Sequence, residues 1–144
     1  MATIRLDIVT AERLIYSEEI NILVAPGIDG ELGILPRHAP LLTALKPGEI
    51  RIVKDGEESY MAVSGGFMEV LGNKITILAD TAERVEEIDI QRAEEALKRA
   101  EERVVSRTSD MDLERALASI RRSQVRLKVA RQRRRRAVGQ RPSQ

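Results

Sequence analysis

Residues 30–52, GELGILPRHAPLLTALKPGEIRI, hold three glycines, three prolines and the one histidine of the 144-residue chain. Gly30 and Gly33 suit turns that a β-carbon disfavours, and Pro36, Pro40 and Pro47 forbid a continuous helix. Between them lie short apolar runs, Leu32 to Leu35 and Leu41 to Leu45, followed by the strand-like Glu49 to Val53. The stretch reads as a compact corner between short strands. It shows no activated nucleophile, no acid pair and no phosphate cradle, so a catalytic loop is not expected here.

Working outward, the same punctuation recurs on both sides. Ile4, Leu6 and Ile8 alternate with Arg5 and Asp7, the period of a strand with one buried face. Ile20, Ile22 and Val24 continue in that manner up to the turn cluster Pro26 to Gly30. Downstream, Lys54-Asp55-Gly56-Glu57 is a hairpin signal, because Asp-Gly suits tight primed turns. Ser59 to Val63 returns, Ser64-Gly65-Gly66 breaks the run, Phe67 to Leu71 resumes, Gly72-Asn73 turns and Lys74 to Ala79 closes the set. Roughly eight to ten short strands so rich in Ile, Leu and Val cannot wet both faces, and two sheets packed face to face bury them. The reading is an antiparallel β-sandwich over residues 1–85.

From Ile88 the period changes. Glycine vanishes until Gly139, and Ala, Glu, Arg and Leu dominate. Asp89 stands where an N-cap acid favours a helix, and Ala93, Ala96, Leu97, Ala100 and Val104 form one stripe. Ser106 to Asp110 interrupts, and a second helix is expected from Asp110 or Asp112, with Leu113, Leu117, Ile120, Gln124 and Leu127 on its inner face. The short connection predicts an antiparallel hairpin over 86–138, ending in a disordered tail, 139–144. The fold class is therefore α+β: a sandwich followed by a two-helix hairpin. The alanine stripe gives the helices little apolar area to share, so the hairpin is expected to be a mobile arm.

Composition narrows the function. Cysteine is absent, which excludes disulfides and thiolate metal sites, and a lone His38 makes no multi-histidine centre, so no metal is expected. No apolar run reaches the ~20 residues that cross a bilayer, and the N-terminus lacks a secretory signal. A cytosolic chain is expected, touching a membrane only through partners. Residues 1–87 carry 8 Lys/Arg against 15 Asp/Glu, a net of −7, whereas residues 88–144 carry 16 against 8, a net of +8. Two segments with different physics share the chain.

The corner motif G-E-L-G-x-L-P-x-H-A-P-L-x-x-x-L-x-P-G-x-I resembles the signature of epsilon subunits of bacterial and chloroplast F-type ATP synthases. On spacing alone the corner is a surface turn whose histidine bonds nearby backbone. The resemblance makes it a partner contact instead, with Glu31 facing the loop of the membrane c-ring and His38 the gamma subunit of the central stalk. It implies a non-catalytic rotor subunit with no catalytic residue and no required cofactor. Its place would be the cytoplasmic face of the bacterial plasma membrane or an equivalent energy-transducing membrane.

Ile88-Asp89-Ile90-Gln91-Arg92-Ala93 is, by itself, an ordinary helix start. It is also similar to the I/L-D-x-x-R-A motif of epsilon subunits that bind ATP, and the companion positions Glu83, Arg99, Arg122 and Arg126 are matched. The resemblance implies that ATP, as a regulatory ligand, is held by Glu83, Ile88, Asp89, Arg92, Ala93, Arg99, Arg122 and Arg126. Guanidinium groups suit phosphate oxygens through paired hydrogen bonds, and the absence of a Walker-type loop argues against hydrolysis. Arg121, Arg122, Arg126, Lys128 and Arg131 are further expected to meet an acidic segment of the catalytic beta subunits when the arm extends and impedes ATP hydrolysis. The run Arg133 to Arg136 exceeds the family pattern and reads as a solvated end. Two rival readings are a nucleic-acid-binding adaptor using residues 112–144 and a free-standing ATP sensor. The first lacks an aromatic stacking platform.

Overall fold

Period-two alternation becomes ten strands: β1 (Ile4–Val9), β2 (Leu14–Ile20), β3 (Ile22–Gly27), β4 (Gly30–Ile34), β5 (Leu41–Leu45), β6 (Gly48–Lys54), β7 (Glu57–Val63), β8 (Gly66–Leu71), β9 (Lys74–Ala79) and β10 (Ala82–Arg84). They occupy the first of two units, Met1–Arg84 and Val85–Gln144, in a computed structural model that describes residues 2–105 and 110–139. Hydrogen bonds sort the strands into two layers, β10-β7-β6-β3-β4 and β5-β8-β9-β1-β2, linked where Gly27 of β3 pairs with Leu45 of β5. Inward side chains from both layers, among them Ile4, Leu6, Ile8, Leu23, Ile34, Ile50, Ile52, Met68, Ile75 and Ile77, meet in one buried core. That shared core is what makes the layers a sandwich. Every pairing is antiparallel except β1 with β9, which run parallel.

The turns follow their residues. Asp55 and Gly56, with φ of 52° and 79°, form the primed turn between β6 and β7, and Gly72 and Asn73, at 60° and 57°, form its counterpart between β8 and β9. Gly66 is required by close approach, because a β-carbon there would lie 2.1 Å from the carbonyl oxygen of Leu78.

On the outer face of β9-β1-β2, Asp7 accepts a hydrogen bond from Ser17 Oγ at 2.7 Å, and it pairs with Lys74 at 3.2 Å and Arg5 at 3.3 Å. The Ser17 bond, reinforced by Lys74 and Arg5, holds its carboxyl below the ordinary value of 3.8 despite partial burial. A depressed folded pKa stabilises above the unfolded value and is lost as pH falls through the folded one. Asp7→Asn is expected to lower unfolding free energy by about 1 kcal/mol at neutral pH. The gap to wild type should close as pH drops below about 4, as read by urea denaturation at each pH.

The second unit opens with a 3₁₀ turn, Val85–Glu87, then α1 (Ile90–Val105) and α2 (Asp110–Gly139). Asp89 caps α1: its Oδ1 accepts from the amide of Arg92 at 3.2 Å, while its carbonyl takes the first helical bond from Ala93 at 2.9 Å. The expected α1 stripe is present, with Ala93 and Ala100 fully buried and Ala96, Leu97 and Val104 half-buried. The inner face of α2 differs from the expectation. Leu117 and Gln124 are exposed, and the buried positions are Ala116, Ser123, Leu127, Val129 and Ala130, with Leu113 and Ile120 half-buried. Size decides this seam rather than apolarity, because small side chains opposite the alanines of α1 let two backbones approach closely. Arg131 Nη2, late in α2, donates to Glu94 Oε1, early in α1, at 2.6 Å, so the helices are antiparallel. Residues 106–109, residues 140–144 of the expected tail and the side chains of residues 110–112 and 134–139 lie outside the described residues, whereas Gly139, expected to open that tail, ends α2.

Candidate functional site

The Gly30–Ile52 corner closes on itself. Leu35 to His38 is a turn in which the amide of His38 bonds the Leu35 carbonyl at 3.2 Å, with Pro36 second and Arg37, φ 65°, third. Asn73 holds that strained residue, since its Oδ1 accepts from the Arg37 amide at 2.9 Å while its Nδ2 donates to the Thr3 carbonyl at 3.0 Å. His38 Nδ1 lies 2.7 Å from the Ala39 carbonyl. A carbonyl only accepts, so Nδ1 carries a proton in this contact. Glu31 is exposed on β4, next to the β3–β4 turn whose tip shows Ile28 at 61% exposure.

A surface that sequence reasoning missed lies across the outer face of β5-β8-β9-β1-β2. Cross-strand register aligns Ala44, Phe67, Leu78, Val9 and Leu14 in one row. Leu42, on β5 two residues from Ala44, adds to it at 72% exposure, and Phe67, Leu78 and Leu14 are 58%, 56% and 55% exposed. Contiguous exposed apolar patches are uncommon on solvated surfaces and often coincide with interaction sites. Its signal was present in the alternate positions of Phe67 to Leu71 and Lys74 to Ala79, which place apolar residues on both faces.

The sandwich also has a hollow of about 450 Å³ lined by Tyr16, Glu18, Lys54, Asp55, Glu57, Glu58, Ser59 and Arg84. Burial, then the bond to Glu18, pushes the Tyr16 hydroxyl well above its usual pKa, while the same bond and Lys54 at 3.3 Å hold Glu18 low. Arg84 sits over the Tyr16 ring, 5.7 Å from its centroid. These groups satisfy one another. Among the described residues no cluster of His, Cys, Asp and Glu could hold a metal ion.

In the helical unit, the residues of the I-D-x-x-R-A segment have distinct places. Ile88 and Ala93 are buried, Asp89 caps the helix, and Arg92 is 84% exposed with Nε 3.7 Å from Asp89 Oδ2. At 100° per residue, Arg92 and Arg99 each precede a buried alanine and so flank the α1 seam on one side. On α2, Arg122 precedes buried Ser123 and Arg126 precedes buried Leu127, which also puts them on one side. Residues that precede the seam on antiparallel helices share an edge, as do those that follow it. The Glu94–Arg131 bond joins two residues of the latter kind. Arg92, Arg99, Arg122 and Arg126 therefore line one edge of the hairpin, with Arg99 abreast of the turn from Arg122 to Arg126. Arg121, Lys128 and Arg131 lie towards the other edge, where a groove of about 300 Å³ is formed by Leu97, Gln124, Leu127, Lys128, Arg131 and Gln132. The basic residues of α2 thus divide between two edges. Glu83 belongs to the sandwich, on β10 opposite Ala62.

A strand-built domain of this size followed by two helices has the layout of an ATP synthase delta/epsilon chain. Family models agree part by part: ATP synthase, Delta/Epsilon chain, beta-sandwich domain matches residues 3–85, and the long alpha-helix domain matches residues 86–131. The chain belongs to this family, and specifically with its epsilon chains. The ATP synthase epsilon chain of Herpetosiphon aurantiacus is 56% identical over 133 residues, covering 92% of this chain and 98% of the relative. That of Desulforamulus reducens is 54% identical over 128 residues, covering 89% and 97%. In fold, the chain is similar to one in the Euglena gracilis mitochondrial ATP synthase OSCP/F1/c-ring structure, with a TM-score of 0.71, 22% identity and coverage of 90% and 82%. A chain of the Tetrahymena thermophila central stalk/c-ring structure matches with a TM-score of 0.59 at 14% identity, covering 88% and 95%.

Proposed function

We propose that the chain is a non-catalytic rotor subunit that couples gamma to the c-ring, with its helical hairpin acting as a regulatory arm. The observation that carries the docking is the exposed row Ala44-Phe67-Leu78-Val9-Leu14, with the His38 corner at the other end of the same strands, beside Asn73 and Thr3. Gamma would cover this row and accept contact from His38, and the β3–β4 tip with Ile28 and Glu31 would meet the c-ring. Membrane association then comes through the complex, at the cytoplasmic face. Among the described residues no helix is long and apolar enough to cross a membrane.

The arginine edge supports the regulatory half. An anion of several charges would accept from guanidiniums of both helices and so hold the closed hairpin together. ATP would bind the closed arm better than the extended one, which is the condition for a ligand to shift the balance. With the arm extended along gamma, Arg121, Arg122, Arg126, Lys128 and Arg131 would meet acidic groups on beta and impede hydrolysis. The three aromatic residues all lie in the sandwich, so the basic helices offer no stacking platform for nucleic acid. The test is an ATP titration of the isolated chain with amide exchange of α1 as readout. ATP is expected to protect α1 in wild type, and Arg92→Ala combined with Arg126→Ala to lower the apparent affinity by about 100-fold. Equal protection in both proteins sinks the arginine site.

A further inference from the structure

The small positions of the α1–α2 seam do not by themselves fix one register, and its largest buried member is Leu127. Ala93 and Ala100 on one helix, and Ala116, Ser123 and Ala130 on the other, recur at intervals of seven, and all five are buried. Moving α2 by seven residues places small on small again, and such side chains make shallow knobs that resist sliding weakly. Frayed helix ends can wind or unwind to follow the movement. The arginine edge is far less tolerant. A slide in one direction puts Ser119 in the place of Arg126 while Arg115 takes that of Arg122, and in the other puts Val129 in the place of Arg122 while Arg133 takes that of Arg126, so each slide leaves one arginine where the native register has two.

We infer that Glu94 is the positioning residue of the hairpin, its bond to Arg131 on one edge fixing the register that sets Arg99 abreast of Arg122 and Arg126 on the other. The inference rests on the anion site proposed above. The bond is 2.6 Å long and charge-assisted, and both side chains are about half exposed, at 51% and 50%. Glu94 faces an α2 edge that also carries Lys128, so its carboxylate is attracted to this stretch of α2. In the first slide Gln124 takes the place of Arg131, and a neutral amide cannot replace the ion pair. A polar pair that costs or gives little in stability, yet selects one register from several, is a known device of helix pairs.

The experiment uses the full chain in four forms: wild type, Glu94→Gln, the swap Glu94→Arg with Arg131→Glu, and Glu101→Gln. Glu101 is one heptad along the same edge, exposed, and controls for lost surface charge. Amide exchange of α1 is followed with and without ATP. Glu94→Gln is expected to raise the ATP concentration for half-protection by about five-fold, the upper range for an exposed pair. The swap should return it to within about two-fold of wild type, and Glu101→Gln should leave it there. The inference is overturned if Glu94→Gln coincides with wild type, if the swap is no better than Glu94→Gln, or if Glu101→Gln has the same effect. Should ATP protect none of the four, the anion site itself fails, and exchange without ATP decides the inference. Faster exchange in Glu94→Gln, restored by the swap, sustains the register role, and unchanged exchange removes it.

Discussion

Phe67→Glu combined with Leu78→Glu is expected to weaken association with a gamma-containing subcomplex by at least about 100-fold while leaving the sandwich folded. The two residues oppose each other directly on β8 and β9 and occupy the middle of the apolar row. At 58% and 56% exposure neither supports the core, which is built from Met68, Val70, Ile75 and Ile77 on the opposite face of the same strands. Substituting them should therefore change the melting temperature little, surface changes of this type lying within about 0.5 kcal/mol. Binding is another matter. Central aromatic and aliphatic anchors carry most of an interface, each commonly about 2 kcal/mol or more, and two carboxylates buried without partners add a desolvation cost. Co-purification and thermal unfolding of the same variant separate the two effects. A variant that assembles as well as wild type would remove the outer face of β5-β8-β9-β1-β2 from the docking surface.

Much of the sandwich could be read from the residues because its signals are local. Alternation in Ile4 to Val9 and the pairs Asp55-Gly56 and Gly72-Asn73 act within a few residues, and the structure gives those pairs the positive φ that their chemistry permits. Which strands become neighbours is not local. The parallel match of β1 with β9 joins residues about 70 apart, and no period in either segment announces it. The same distance hides Asn73, whose side chain ties the Arg37 corner to the start of the chain. The apolar row was hidden for another reason: in strands that are apolar on both faces, core and docking surface look alike until the register shows which side is covered.

In the helices, the cap at Asp89 was legible and the inner face of α2 only in part: Leu127 is buried and Leu113 and Ile120 half-buried, while Leu117 and Gln124 are exposed. Ranking positions by apolarity selected Leu117 and Gln124 by spacing, whereas the buried seam follows Ala116, Ser123 and Ala130. That shift of one residue matters for the site, since it decides which basic side chains share an edge. Only with the seam placed do Arg122 and Arg126 separate from Arg121, Lys128 and Arg131.

The same seam supplies the other large effect. Ala100 is fully buried between two helices that carry few large side chains at their contact. Leucine at this position needs space that close approach of the backbones has removed, and overpacking of this sort costs about 1–3 kcal/mol. A hairpin held together by small residues has little stability in reserve, so a cost of that size is comparable with the whole of its closing free energy. Ala100→Leu is expected to open the hairpin: amide exchange along α1 should approach that of an unprotected helix, while β1, β8 and β9 keep wild-type protection. A complex assembled with an arm that cannot close should hydrolyse ATP more slowly than wild type, and added ATP should not relieve the inhibition. Conversely, Ala100→Gly keeps the close approach and removes only one methyl group, at about 1 kcal/mol of helix propensity, so its exchange should rise without the hairpin opening fully. If leucine and glycine raise α1 exchange equally, loss of helix propensity rather than the tight seam governs the arm, and the account of a size-selected contact falls.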